Sequence, residues 1–66
     1  MDIDKLKGKL TEKKKTYVEC SNALGITSAT FNKKINGNGK FYIEEVNALS
    51  KFLGLTEMEK VDIFLT

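Results

Sequence analysis

Gly25 constrains this chain more than any other residue. It stands between Leu24 and Ile26 and closes a run that opens with a helix-start signature, Thr16 followed three residues later by Glu19. That is the spacing of a capping box, in which hydroxyl and carboxylate each accept a backbone N–H. Glycine takes the left-handed conformation without steric cost, so a helix can end there. Ile26 then turns toward a core, and Thr27 is a good N-cap for a second helix running to about Asn36, with Gly37 to end it. The stretch from Thr16 to Gly37 therefore reads as two short helices joined by a tight turn.

The second of these helices has a continuous polar side. With Ser28 at zero and about 100° per residue, Asn32 lies near ~40°, Asn36 near ~80°, Ala29 near ~100° and Lys33 near ~140°. Phe31 and Ile35 fall near ~300° and ~340°, on the opposite side. Such a helix fits the major groove of B-DNA, where Asn and Lys hydrogen-bond base edges and small residues allow close approach. An amphipathic hairpin with a merely solvated outer face has the same pattern. Lys34, at about 240°, occupies the back of the helix where an apolar residue is expected. Its methylene stem can lie over the core while the ammonium reaches water.

The residues Ala23-Leu24-Gly25-Ile26-Thr27, then Thr30-Phe31, then Asn36-Gly37 resemble the helix-turn-helix of the lambda Cro/repressor family. The whole 66-residue chain can be laid on that family's five-helix domain and is most similar to its small phage regulators. It departs from the family at three places: Tyr17 stands where Gln is usual, Ser21 where Ala is usual, and Lys34 where an apolar residue is usual. The resemblance implies an all-α fold, a compact five-helix lambda-repressor-like DNA-binding domain with a central helix-turn-helix, as a single domain over residues 1–66.

Charge is distributed unevenly along the chain. From Lys5 to Lys40 there are nine lysines against Glu12 and Glu19, whereas from Phe41 onward two lysines face five acids. A basic front and an acidic back suit a protein that presents one side to a polyanion. All eleven basic residues are lysine, so the forked arginine contact to guanine is not available. The chain has no histidine and one cysteine, Cys20. That removes the commonest general base and zinc ligand, excludes an intramolecular disulfide, and makes Cys20 a small hydrophobe rather than a nucleophile. No enzyme activity, metal or cofactor is expected. No apolar run approaches the ~18 residues of a membrane span, so the expectation is a cytoplasmic protein with no membrane association.

Ile3, Leu6 and Leu10 give the first helix its apolar stripe, with Asp2 or Asp4 at its start. Glu12-Lys13-Lys14-Lys15 ends that periodicity as a loop. Val18, Cys20, Ser21 and Leu24 are expected to be the buried side of the next helix. Asn36-Gly37-Asn38-Gly39-Lys40 reads as a helix end and loop; the flanks do not alternate as a hairpin would, and P-loop spacing is absent. Ile43, Val46, Leu49 and Leu53 then follow helical spacing, with Glu44 and Glu45 as dipole and solubility residues and Gly54 at the end. Thr56 and Glu59 open a fifth helix, expected to bury Met58, Val61, Phe64 and Leu65, with Ile63 off the stripe. Phe41, Phe52 and Ile63, with Phe64, are candidates for a dimer surface.

The preferred function is a sequence-specific DNA-binding transcription regulator, which the resemblance makes a small phage Cro-like protein or repressor that occupies an operator. Ser28, Ala29, Asn32 and Lys33 would face base edges. Tyr17, Thr27, Asn36, Asn38 and Lys40 would contact phosphates, Tyr17 in the place of the family's Gln. The expected partner is double-stranded DNA carrying a pseudo-palindromic operator, bound by a weak homodimer formed through the C-terminal helices. The alternative is a protein-interaction module on the same fold, an antirepressor or antitoxin-like subunit.

Overall fold

Five helices follow one another in the computed structural model, which describes residues 1–37 and 40–65: α1 Ile3–Glu12, α2 Tyr17–Leu24, α3 Ser28–Ile35, α4 Ile43–Leu53 and α5 Glu57–Phe64. The fold is all-α, and there is no strand among the described residues. Each start is marked by a side chain. Asp2 accepts the Lys5 N–H at 3.1 Å, and Thr27 accepts the Thr30 N–H at 3.1 Å. Thr16 with Glu19 and Thr56 with Glu59 form complete reciprocal boxes. α4 has only half of one: the Glu45 carboxylate accepts the Tyr42 N–H at 2.9 Å.

Three helices end in the same two-bond motif. After α2, Gly25 at φ 70° sends its N–H to Asn22 while the Ile26 N–H reaches Ser21. After α4, Gly54 at φ 67° and Leu55 do the same to Lys51 and Ser50. After α1 the pattern recurs through the Lys14 and Lys15 N–H groups, to Thr11 and Leu10, but the left-handed residue is a lysine, Lys14 at φ 56°. These Schellman endings satisfy carbonyls that the helix leaves without partners.

The core joins Leu6 and Leu10 of α1, Cys20 of α2, Phe31 and Ile35 of α3, Val46, Leu49 and Leu53 of α4, and Ile63 and Phe64 of α5. A file of edge-to-face rings crosses it. Tyr17 meets Phe31 at 5.5 Å, Phe31 meets Phe41 at 5.8 Å, and Phe41 meets Phe64 at 6.1 Å between centroids. α2 packs on α3 and α4, and α1 packs on α5.

The structure corrects several expectations about packing. Ile63 is 2% exposed and Phe64 lies in the core, whereas Met58, Val61 and Leu65 are exposed. The reason lies in Glu59, which caps α5 and is ion-paired to Lys9 of α1. Ile63, one turn further along, shares the side of α5 that Glu59 turns toward α1, so the alternative stripe faces water. Phe41 and Phe52 are half-buried against the core, and the Lys15 ammonium lies 4.9 Å from the Phe52 ring centre. None of Phe41, Phe52, Ile63 and Phe64 is therefore an open dimer surface. Val18 is also exposed, so α2 relies on Cys20 and Ser21 for its buried side, with Leu24 half-buried, and Ile43 at the start of α4 is exposed as well.

Candidate nucleic-acid interface

α3 is divided cleanly between core and water. Phe31 and Ile35 are completely buried, while Ser28, Ala29, Thr30, Asn32 and Lys33 are exposed. The turn through Gly25 and the Thr27 cap fix where the helix begins, and the Phe31 ring fixes its rotation between Tyr17 and Phe41. Thr27 acts twice at the entrance, since its hydroxyl also donates to the Thr30 hydroxyl at 2.9 Å.

Ala29, Thr30, Asn32, Lys33 and Asn36 line one shallow open depression. Three of the four expected base-facing residues are thus brought together, and Ser28 is exposed in the first turn beside them. Asn36, expected on phosphate, joins this group instead: its Nδ2 donates to the Asn32 Oδ1 at 2.8 Å. Asn32 keeps one Oδ1 lone pair and both Nδ2 hydrogens for another partner. Thr30 is a member that sequence reasoning missed. The signal was present, because Thr30 falls near ~200°, between Lys33 and Lys34 on the helical projection.

Of the other phosphate candidates, Thr27 and Lys40 are exposed, and Tyr17 is half-buried with its ring against Phe31. Asn38 lies outside the described residues. Lys34 departs most from expectation. It is 8% exposed, and its ammonium is bonded within the protein. The ammonium donates to the Lys40 carbonyl at 2.6 Å and to Glu45 Oε1 at 3.0 Å, and lies 4.7 Å from the Tyr42 ring centre. The buried ammonium is tolerated because a carboxylate, a carbonyl and an aromatic face replace its hydration. Glu45, which reads in the sequence as a dipole and solubility residue, is the counter-charge.

Electrostatics within the bundle also differ from the linear charge pattern. Lys5 pairs with Asp62 at 2.7 Å, and Lys9 pairs with Glu59. The acidic α5 thus neutralises lysines of α1 rather than standing apart from them. Lys33, in the depression, and Lys40, which lines a separate one beside Ile3, Phe41 and Phe64, remain exposed charges, with no ion pair to them among the described residues. Glu59 is held far below the usual carboxylate range, at about 2, first by the Lys9 hydrogen bond and then by the Thr56 N–H. Burial pushes the Cys20 thiol up to about 11, which leaves it protonated and inert. No family model, curated protein or solved structure matches this chain.

Proposed function

We propose that this protein is a sequence-specific DNA-binding transcription regulator of the Cro/repressor kind, which lays α3 into the major groove. One observation carries the reading: Ala29, Thr30, Asn32, Lys33 and Asn36 form one polar, close-approach surface on a helix whose other side is locked into the core. Ser28, Ala29, Asn32 and Lys33 face base edges in this reading. The bond from Asn36 holds the Asn32 amide in one orientation. An amide so held, accepting from N6–H and donating to N7, matches adenine, so an A·T pair opposite Asn32 is expected. Tyr17, Thr27 and Lys40 contact phosphate and set the register.

The molecule's longest axis is 28 Å. Half-sites read by paired helices lie about 34 Å apart, so one copy serves one half-site. A weak dimer on a pseudo-palindromic operator is the corresponding assembly, its contact in this reading on the C-terminal helices, where Met58 and Val61 are exposed. Sedimentation with operator-length DNA tests this part: one copy per full operator at saturation would remove the dimer.

Gel-shift titration against fragments of the surrounding genome tests the main reading. Saturable, sequence-dependent shifts are expected. Their absence at low salt would move the reading to a protein-interaction module. Lys33→Ala and Asn32→Ala should each lose about 1–3 kcal/mol of discrimination at one base position with the melting temperature unchanged. Equal weakening on operator and random DNA would reassign them as phosphate contacts.

A further inference from the structure

The connection between α3 and α4 spans residues 36–42 and includes Gly37 at φ 86°. Residues that become ordered only on binding cost conformational entropy at that moment. Three anchors hold its residues 40–42. Phe41 is inserted between Phe31 and Phe64. The Tyr42 N–H is bonded to Glu45 Oε1 at 2.9 Å, and the Lys40 carbonyl is bonded to the Lys34 ammonium at 2.6 Å. The same Glu45 Oε1 also takes the Lys34 ammonium at 3.0 Å. One buried cation therefore ties α3, the connection and α4 together at a single carboxylate oxygen.

An apolar side chain at position 34 would pack the back of α3 equally well and avoid the desolvation of two charges. It would leave the Lys40 carbonyl without its donor. The distinctive work of the ammonium is thus to fix the main chain at Lys40, whose side chain is exposed on the connection that leaves α3. We propose that Lys34, together with Glu45, is a positioning residue that holds Lys40 in place for a DNA phosphate, an inference that rests on the DNA-binding reading above. Lys34 does not itself contact DNA, because its charge is spent inside the fold.

The double variant Lys34→Met/Glu45→Gln tests this without burying an unpaired charge. Methionine replaces the stem, and the glutamine oxygen can still accept the Tyr42 N–H. Anisotropy titrations with an operator selected on the wild type are run from about 50 to 200 mM salt, beside thermal melts. The expected result is a melting temperature at or above wild type, affinity lowered roughly three- to tenfold, and a salt slope shallower by about one. Lys40→Ala should produce the same loss in the wild type and no further loss in the double variant. Unchanged affinity and slope would overturn the positioning role and leave DNA binding standing. Weaker binding with the wild-type slope would also overturn it, since that marks a merely structural effect. A wild type that shifts no DNA would remove both inferences together.

Discussion

The seam between α3 and α4 and the seam between α1 and α5 are built on the same plan. In each, the glutamate at the third position of a later helix accepts the N–H of its own N-cap residue and also reaches a lysine of an earlier helix. Glu45 takes the Tyr42 N–H and Lys34; Glu59 takes the Thr56 N–H and Lys9. Water separates the two cases. The Lys34 and Glu45 side chains are 10% and 14% exposed, those of Lys9 and Glu59 22% and 31%, and the adjacent Lys5–Asp62 pair is about half exposed. A buried pair is costly to break on one side and acts as a fixed joint, whereas a more solvated pair contributes less and rearranges more easily. The fixed joint is the one beside the proposed DNA-facing surface.

Breaking one partner of each seam should separate them most. Lys34→Met leaves Glu45 buried without its cation, and the expected loss is about 3 kcal/mol, a drop in melting temperature of roughly 12–24 °C for a domain of this size. Lys9→Met leaves Glu59 able to turn to water and should lower the melting temperature far less. Thermal melts near neutral pH decide the matter, and equal drops would erase the distinction between the seams.

Much of the frame was legible in the sequence because caps and turns are local chemistry. Thr16 with Glu19, Gly25, Thr27, Gly54, and Thr56 with Glu59 each act within one turn of the chain, and each is found where its spacing put it. The polar side of α3 was legible for the same reason. The seams were not, since they join residues 11 and 50 positions apart. Without Glu45 in view, Lys34 could only be given the usual fate of a lysine on an apolar side, a stem inside and an ammonium outside. Without Lys9, nothing local in the sequence favours Ile63 over Met58 and Val61 as the buried side of α5. The charge blocks misled similarly: charges far apart in sequence cancel where α1 meets α5.

Acid should open the solvated seam by a route that the sign of the shift specifies. Glu59 titrates at about 2 in the folded protein against an ordinary 4.5. Its contribution is therefore complete above about pH 4.5 and is lost as the pH falls toward 2. Lys9 is shifted upward from 10.5, first by its bond to Glu59, so it stays charged throughout and adds nothing on the acid side. Glu19 is also lowered by the Thr16 N–H, so the α2 cap weakens in the same direction. The melting temperature should fall below pH 4.5, and Glu59→Gln should start lower and fall less. An NMR midpoint for Glu59 close to 4.5 would show the seam open in solution.

The exit from α1 offers a smaller change of opposite sign. Lys14 holds at φ 56° the left-handed position that glycine holds after α2 and α4. Lys14→Gly removes a Cβ conflict of about 1–2 kcal/mol while adding freedom to the unfolded chain, so a gain of about 0.5–1 kcal/mol is expected by denaturant titration. It should tighten the α1 end of the more solvated seam without altering the proposed DNA binding.

The smallest effect belongs to Lys5. Its ammonium meets Asp62 at 2.7 Å with both side chains about half exposed, so each charge keeps much of its hydration whether or not the pair forms. The shift of Lys5 is upward, caused first by the hydrogen bond to Asp62, and a surface pair of this kind is readily screened. Lys5→Ala should lower the melting temperature slightly at about 20 mM salt and not at all at about 1 M, where the Debye length is about 3 Å. The Lys34→Met deficit, by contrast, should persist at about 1 M, because ions do not enter a site walled by Phe41, Tyr42 and the Lys40 main chain. Melts of the wild type and both variants at the two salt concentrations make the comparison. If the Lys34 deficit also vanished in salt, water and ions would be reaching Glu45, and the α3–α4 seam would be as loose as its counterpart.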